Sequence, residues 1–131
     1  MQCPCHSNKP YNQCCKPLHD GKPAKNAKAL MRSRYSAYAL CLPDYIIETT
    51  HPENPAYQHN KKQWRSELIA FSKQTKYESL EIREFTKNGK EATVTFYAGL
   101  SQNGQDLSFT EKSRFKQENR KWFYANGTFE T

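Results

Sequence analysis

The spacing of apolar residues changes period partway along the chain. Between Asn26 and Leu42 the residues Met31, Tyr35, Tyr38 and Leu42 recur at the i, i+4, i+7, i+11 spacing of one helical face. Asn26 can cap this helix and Pro43 stops it. Pro43 then opens a short second helix through Asp44 to Glu48. After a loop from His51 to His59, Asn60 caps a third helix, in which Trp64, Leu68 and Phe71 share a face.

Beyond Lys76 the period becomes two. Leu80 and Ile82 alternate with polar residues, then Val94, Phe96, Ala98 and Leu100 do the same. Lys87-Asn88-Gly89-Lys90 between them is a two-residue hairpin signal. Asn103-Gly104 leads to a strand from about Leu107 to Lys116, and Glu118-Asn119-Arg120 turns into a last strand, Lys121 to Asn126. Helices followed by an antiparallel four-stranded meander predict an α+β domain over residues 26–131.

Residues 1–25 follow no such pattern. They hold four of the five cysteines and a single leucine, too little apolar surface to order the segment without a staple. Cys3, Cys5, Cys14 and Cys15 form two close pairs across a short loop, each able to supply one edge of a zinc tetrahedron. Four protein ligands close the coordination sphere, so such a site builds structure and does not catalyse. His19 in place of Cys15 is an alternative ligand, His6 a weaker one, and free or redox-active thiols a different reading altogether. Cys41 reads as a core cysteine.

These residues also carry a resemblance. Cys3-Pro4-Cys5-His6-Ser7, Tyr11 and Cys14-Cys15 resemble the SEC-C motif, a zinc knuckle first recognised at the C-terminus of the SecA translocase. The stretch Leu30-Met31-Arg32-Ser33-Arg34-Tyr35-Ser36-Ala37-Tyr38 is similar to the YchJ family. So are Asp44-Tyr45, Thr50-His51-Pro52, Glu111-Lys112-Ser113-Arg114-Phe115, Trp122-Phe123-Tyr124 and Gly127. The resemblance implies one zinc knuckle followed by a nuclear-transport-factor-2-like (NTF2-like) domain, a cone of helices wrapped by a curved sheet. It implies no particular activity. In SecA the knuckle contacts a chaperone and acidic lipid surfaces, which points to a protein partner. His6 departs from the motif, which usually has glycine there. Longer relatives carry a second cysteine cluster that this sequence lacks, so functions needing two knuckles are not expected of it.

Alternation places Leu107, Phe109, Glu111, Ser113 and Phe115 on one face of the third strand, and their apolar majority makes it the inner face. Glu111 then points inward among rings, unless a bulge reverses the alternation. Arg34 borders the first helix's apolar stripe and is the expected partner of Glu111, tying helix to sheet. Against that structural reading stands a functional one, in which Glu111 is a general base or ligand group in a concave pocket. Arg34, Tyr35, Tyr38, His51, Glu111 and Ser113 are the pocket candidates, with His51 and His59 flanking its mouth. Trp64 and Trp122 read as core, while Arg32 and Arg114 are expected on polar faces as an exposed anion-binding surface.

A net charge of +7 raises nucleic acid as a partner, but the basic residues are dispersed and form no run of five, so weak binding at most is expected. No stretch approaches the ~20 apolar residues of a membrane span. The start lacks a signal peptide's apolar core, which places the chain in the cytoplasm, where clustered cysteines favour metal over disulfide. No Gly-rich phosphate loop is present among the five glycines. A non-catalytic binding or adaptor protein is therefore the preferred reading. An isomerase- or dehydratase-type enzyme using the cone is the rival.

Overall fold

The computed structural model describes residues 1–130. A 3-10 turn (Tyr11–Gln13) and the short helix α1 (Lys16–His19) belong to the cysteine segment. Helices α2 (Ala27–Ala39), α3 (Pro43–Glu48) and α4 (Lys61–Gln74) follow, then strands β1 (Lys76–Asn88), β2 (Glu91–Gln102), β3 (Gln105–Asp106), β4 (Phe109–Glu118) and β5 (Lys121–Glu130). All strand pairs are antiparallel, in the order β1-β2-β4-β5 with β3 on β2.

The helix starts lie where the capping residues put them. Asn26 accepts a hydrogen bond from Ala29 N at 2.8 Å, and Asn60 one from Gln63 N at 3.0 Å. The end of α2 comes earlier than expected, at Ala39. Cys41 adopts φ 59° there, while Leu42 N donates to Ala37 O at 2.8 Å and Cys41 N to Tyr38 O at 3.2 Å. That is the paired hydrogen bonding of a left-handed helix cap, a place glycine usually takes. Cys41 is thus a half-buried cap residue and not the core cysteine expected.

The sheet differs from the expected meander by one short strand. Asn103 (φ 51°) and Gly104 (φ 79°) both turn left-handed, as a tight hairpin turn requires, so Gln105 and Asp106 pair at once with Gln102 and Ser101. Ser108 then interrupts the strand: its N–H bonds Asp106 Oδ1 at 2.9 Å, and its Oγ accepts from Leu100 N at 3.0 Å. Extra residues in β1 (Glu78 and Arg83) and in β5 (Ala125) break the register. Such bulges bend a sheet, and this one curves around the helices.

One core runs from the sheet's inner face (Val94, Phe96, Ala98, Phe115) through Leu30 and Met31 of α2 to Cys3, Cys5 and Cys15. A second, smaller cluster joins Ala37, Ile46, Trp64 and Leu68 between the helices. Trp64 and Trp122 are both buried. No helix among the described residues is long and apolar enough to cross a membrane.

Candidate functional site

The knuckle gathers four sulfurs. A bridge between Gln2 and Pro10 and the bond from Cys3 N to Lys9 O at 2.9 Å close the first loop. The turn at Tyr11–Gln13 and helix α1 then bring Cys14 and Cys15 back to it. The Sγ atoms of Cys3, Cys5, Cys14 and Cys15 all lie within 4.8 Å of one another, and the set can hold a metal ion. Cys5 and Cys14 are 3.6 Å apart, Cys14 and Cys15 3.9 Å. The thiols differ in acidity: hydrogen bonding from Cys15 pulls Cys5 below the ordinary thiol range, whereas burial pushes Cys3 above it.

His19 is engaged away from this cluster. Its Nε2–H donates to Ser33 O at 2.8 Å, and its Nδ1 accepts from Tyr11 OH at 2.6 Å. Cys15, not His19, therefore stands among the sulfurs. Burial lowers the histidine's pKa, which favours the neutral ring whose Nδ1 accepts from Tyr11. His6 has φ 62°, a left-handed conformation that explains the motif's usual glycine. Its ring packs edge-on to Tyr35 with centroids 5.8 Å apart, and Nε2 donates to Tyr77 O at 3.1 Å. Arg32 folds over the knuckle to donate to Cys5 O at 3.1 Å, instead of standing free on a polar face. Arg114 is exposed as expected, beside Glu91 at 3.4 Å. The knuckle is thus docked on α2 and β1.

Behind α2 lies a cavity of about 380 Å3 between that helix, α4 and the sheet. Met31, Leu68, Phe96, Leu100, Phe109 and Phe115 supply apolar wall. Arg34, Tyr35, Tyr38, Glu111 and Ser113 line it too, so five of the six pocket candidates meet in one place. Tyr124 joins them there. The sixth, His51, is not among the lining residues: it bonds Glu118 Oε2 at 2.8 Å and meets Phe123 edge-on. Its place follows from the chain after α3, where His51 N donates to Tyr124 O at 2.8 Å and so attaches this segment to β5.

Arg34 and Glu111 do not form the expected ion pair. Arg34 Nη1 donates to Ile46 O at 3.1 Å, Thr49 Oγ1 at 2.7 Å and Thr50 Oγ1 at 3.1 Å, joining α2 to the end of α3. Glu111 Oε2 accepts from Tyr124 OH at 2.9 Å and from Ser113 Oγ. Tyr124 separates the charges: its ring lies 4.7 Å from the guanidinium carbon while its hydroxyl holds the carboxylate. Burial lowers the Arg34 pKa, and the neighbouring tyrosines and Glu111 oppose that fall. A guanidinium stays charged regardless.

Glu111 points inward because the one bulge nearby falls at Ala125, on the partner strand, and leaves β4's alternation intact. Gly127 makes room for it: a Cβ there would stand 2.6 Å from Glu111 Cδ and 2.8 Å from Tyr124 OH. In the sequence Tyr124 stands within the Trp122-Phe123-Tyr124 motif with no role of its own, since no glycine or proline at Ala125 marks the bulge that sets its position. The signal available was composition: a tyrosine on a core strand has to bring its hydroxyl to a partner.

Residues 26–127 match the family model described as "YchJ, middle NTF2-like domain". A UPF0225 protein of Vibrio parahaemolyticus is 38% identical over 130 residues, spanning 97% of this chain and 74% of the relative. One of Vibrio cholerae is 36% identical over 132 residues, covering 98% and 83% respectively. Among solved structures, a SEC-C motif containing protein from Rhodopseudomonas palustris superposes with a TM-score of 0.83 at 33% identity, covering 100% of both chains. Another, from Psychrobacter arcticus, gives 0.79 at 26% identity over 100% of this chain and 84% of the other.

Proposed function

The chain belongs to the YchJ family of NTF2-like proteins, and on that premise we propose that it is a zinc-braced binding protein whose cone cavity takes a small molecule. One observation carries the reading: the cavity is preformed, with apolar walls, and several polar side chains converge on it. Its volume of about 380 Å3 falls within the roughly 300–1,000 Å3 range of small-molecule pockets.

Zinc fits the sulfur set. A tetrahedron with zinc–sulfur bonds of about 2.3 Å has edges of about 3.8 Å, and 3.6 and 3.9 Å are found. Cys3, Cys5, Cys14 and Cys15 would hold the ion, which supplies cross-linking and no chemistry. Thiolates kept for metal belong in a reducing compartment, so we place the protein in the cytoplasm. The sulfurs face α2 and the sheet, so the knuckle serves as a brace first. A protein partner would meet its outer rim, where Met1 is 75% exposed. Nucleic acid has less to support it, because Lys16, Arg65, Arg83, Arg114 and Lys116 are already paired with carboxylates.

NMR mapping tests the pocket. Small apolar compounds should shift the methyl signals of Met31, Leu68 and Leu100 together, in a saturable way. Shifts spread over the knuckle and the outer sheet would contradict it. A second reading, an isomerase- or dehydratase-type enzyme, draws on the inward carboxylate of Glu111. Under it Glu111→Gln would abolish turnover and retain binding.

A further inference from the structure

The polar end of the cavity carries two opposite charges that do not neutralise each other by contact. Arg34 is 9% exposed, and all its hydrogen bonds to protein run through Nη1, leaving Nε and Nη2 without a protein acceptor. No carboxylate among the described residues stands within ion-pair distance of it. Glu111 uses Oε2 for both its hydrogen bonds, and Oε1 has no donor. The Tyr38 hydroxyl is likewise without a protein hydrogen bond. Yet among the described residues Tyr77 OH is the one partnerless polar side-chain atom sealed from solvent. The spare groups of Arg34, Glu111 and Tyr38 therefore keep an open side, and all three residues line the cavity.

A ligand that fills the apolar part must bring something to these groups, because a buried polar group deprived of both water and a partner is left with its desolvation cost unrepaid. A carboxylate head suits Arg34 but meets the charge of Glu111; an ammonium suits Glu111 but meets Arg34. Resting on the pocket reading above, we propose that the cavity binds an uncharged small molecule with an apolar body and a carboxamide-type head. The head's oxygen accepts from Arg34 and its N–H donates to Glu111 Oε1. A neutral head avoids both repulsions and the desolvation of a further charge. The binding is non-covalent and no bond is made or broken.

Four compounds with one apolar body decide the matter on the full, metal-loaded chain: phenylbutanamide, phenylbutanoate, phenylbutylamine and butylbenzene. Calorimetric titration should rank the amide first, with the acid and the amine each about tenfold or more weaker. In Glu111→Gln the carboxylate's repulsion is gone, so the acid should gain at least about tenfold relative to the amide. An unaltered protein that prefers the acid or the amine, or a Glu111→Gln variant in which the acid gains nothing on the amide, overturns the proposal. If butylbenzene binds as well as the amide, the head assignment fails while the pocket reading stands. If none of the four binds, both fail together. The ranking in the unaltered protein decides by itself even where the variant does not fold.

Discussion

In the knuckle, Cys3, Cys5 and Cys15 are at most 4% exposed and turn their sulfurs toward one another. In the cone, Arg34 is nearly as buried but keeps two nitrogens with no protein partner. The first arrangement is closed: four soft donors around one point leave no position for anything but a metal. The second is open, because its polar groups are satisfied only in part and face a cavity. Helix α2 serves both. Ser33 receives His19, Arg32 reaches Cys5, and Met31, Arg34, Tyr35 and Tyr38 line the cavity. A short polar segment that cannot form its own core thereby positions the wall of a cavity. Burial alone does not separate the two kinds of polar group; unspent hydrogen-bonding capacity beside a cavity does.

Breaking the closed region should have the largest effect. Apparent zinc binding in knuckle-sized peptides is worth roughly 10–16 kcal/mol, and even a fraction of that is large for one domain. Chelation, or Cys14→Ser, should lower the unfolding midpoint by more than about 10 °C in calorimetry. An unchanged midpoint would show that the knuckle braces nothing. Cys41→Ser should leave metal content unchanged. For a chain beginning near Lys25, we propose that helix and sheet persist at reduced stability, because all the periodic apolar faces lie beyond that point.

Next comes the joint that Arg34 makes. Arg34→Met removes three hydrogen bonds from the end of α3 and should cost roughly 2–4 kcal/mol in denaturant unfolding. Because Tyr124 stands between the charges, a double-mutant cycle of Arg34→Met and Glu111→Gln should give a coupling below about 1 kcal/mol. A larger coupling would restore the direct pair that the sequence suggested. Gly127→Ala should cost about 1–2 kcal/mol, because its Cβ forces the Glu111 carboxylate and the Tyr124 hydroxyl aside. A neutral result there would mean the polar end is looser than its geometry.

Much of this was legible in the sequence, for local reasons. Asn26, Pro43 and Asn60 mark helix starts by capping chemistry that needs no tertiary context. Alternation along Phe109, Glu111, Ser113 and Phe115 put the carboxylate on the inner face, where it lies. What escaped depends on long-range placement. Glu111 finds Tyr124 and Ser113 in place of Arg34, because the bulge at Ala125 sets the tyrosine between them. Arg34 in turn is drawn to the carbonyl and hydroxyls at the end of α3, which only the fold brings within reach. His51 is held to β5 by its backbone, and nothing in Thr50-His51-Pro52 announces that pairing.

The smallest effect tests the seam between the regions by pH. Burial depresses the pKa of His19 below the ordinary 6.5, so the unfolded chain takes up the proton more readily than the folded one. The histidine's contribution is then complete above about pH 6.5 and declines as the pH falls through the depressed value. His19→Gln should flatten that part of the stability profile. A profile unchanged by the substitution would mean the ring is not held neutral between Tyr11 and Ser33.

The most direct measurement of the open region is a fluorescence titration with a neutral apolar dye, N-phenyl-1-naphthylamine, on the metal-loaded protein and on Ala98→Phe. Ala98 lines the cavity and is 1% exposed, so a ring at that position fills the space without touching the knuckle. The dye should bind the unaltered protein saturably, one per chain, and lose at least about tenfold in affinity in the variant, whose metal content and cooperative unfolding persist. Saturable binding of equal strength in both proteins, or none in either, would contradict the cavity as the working site.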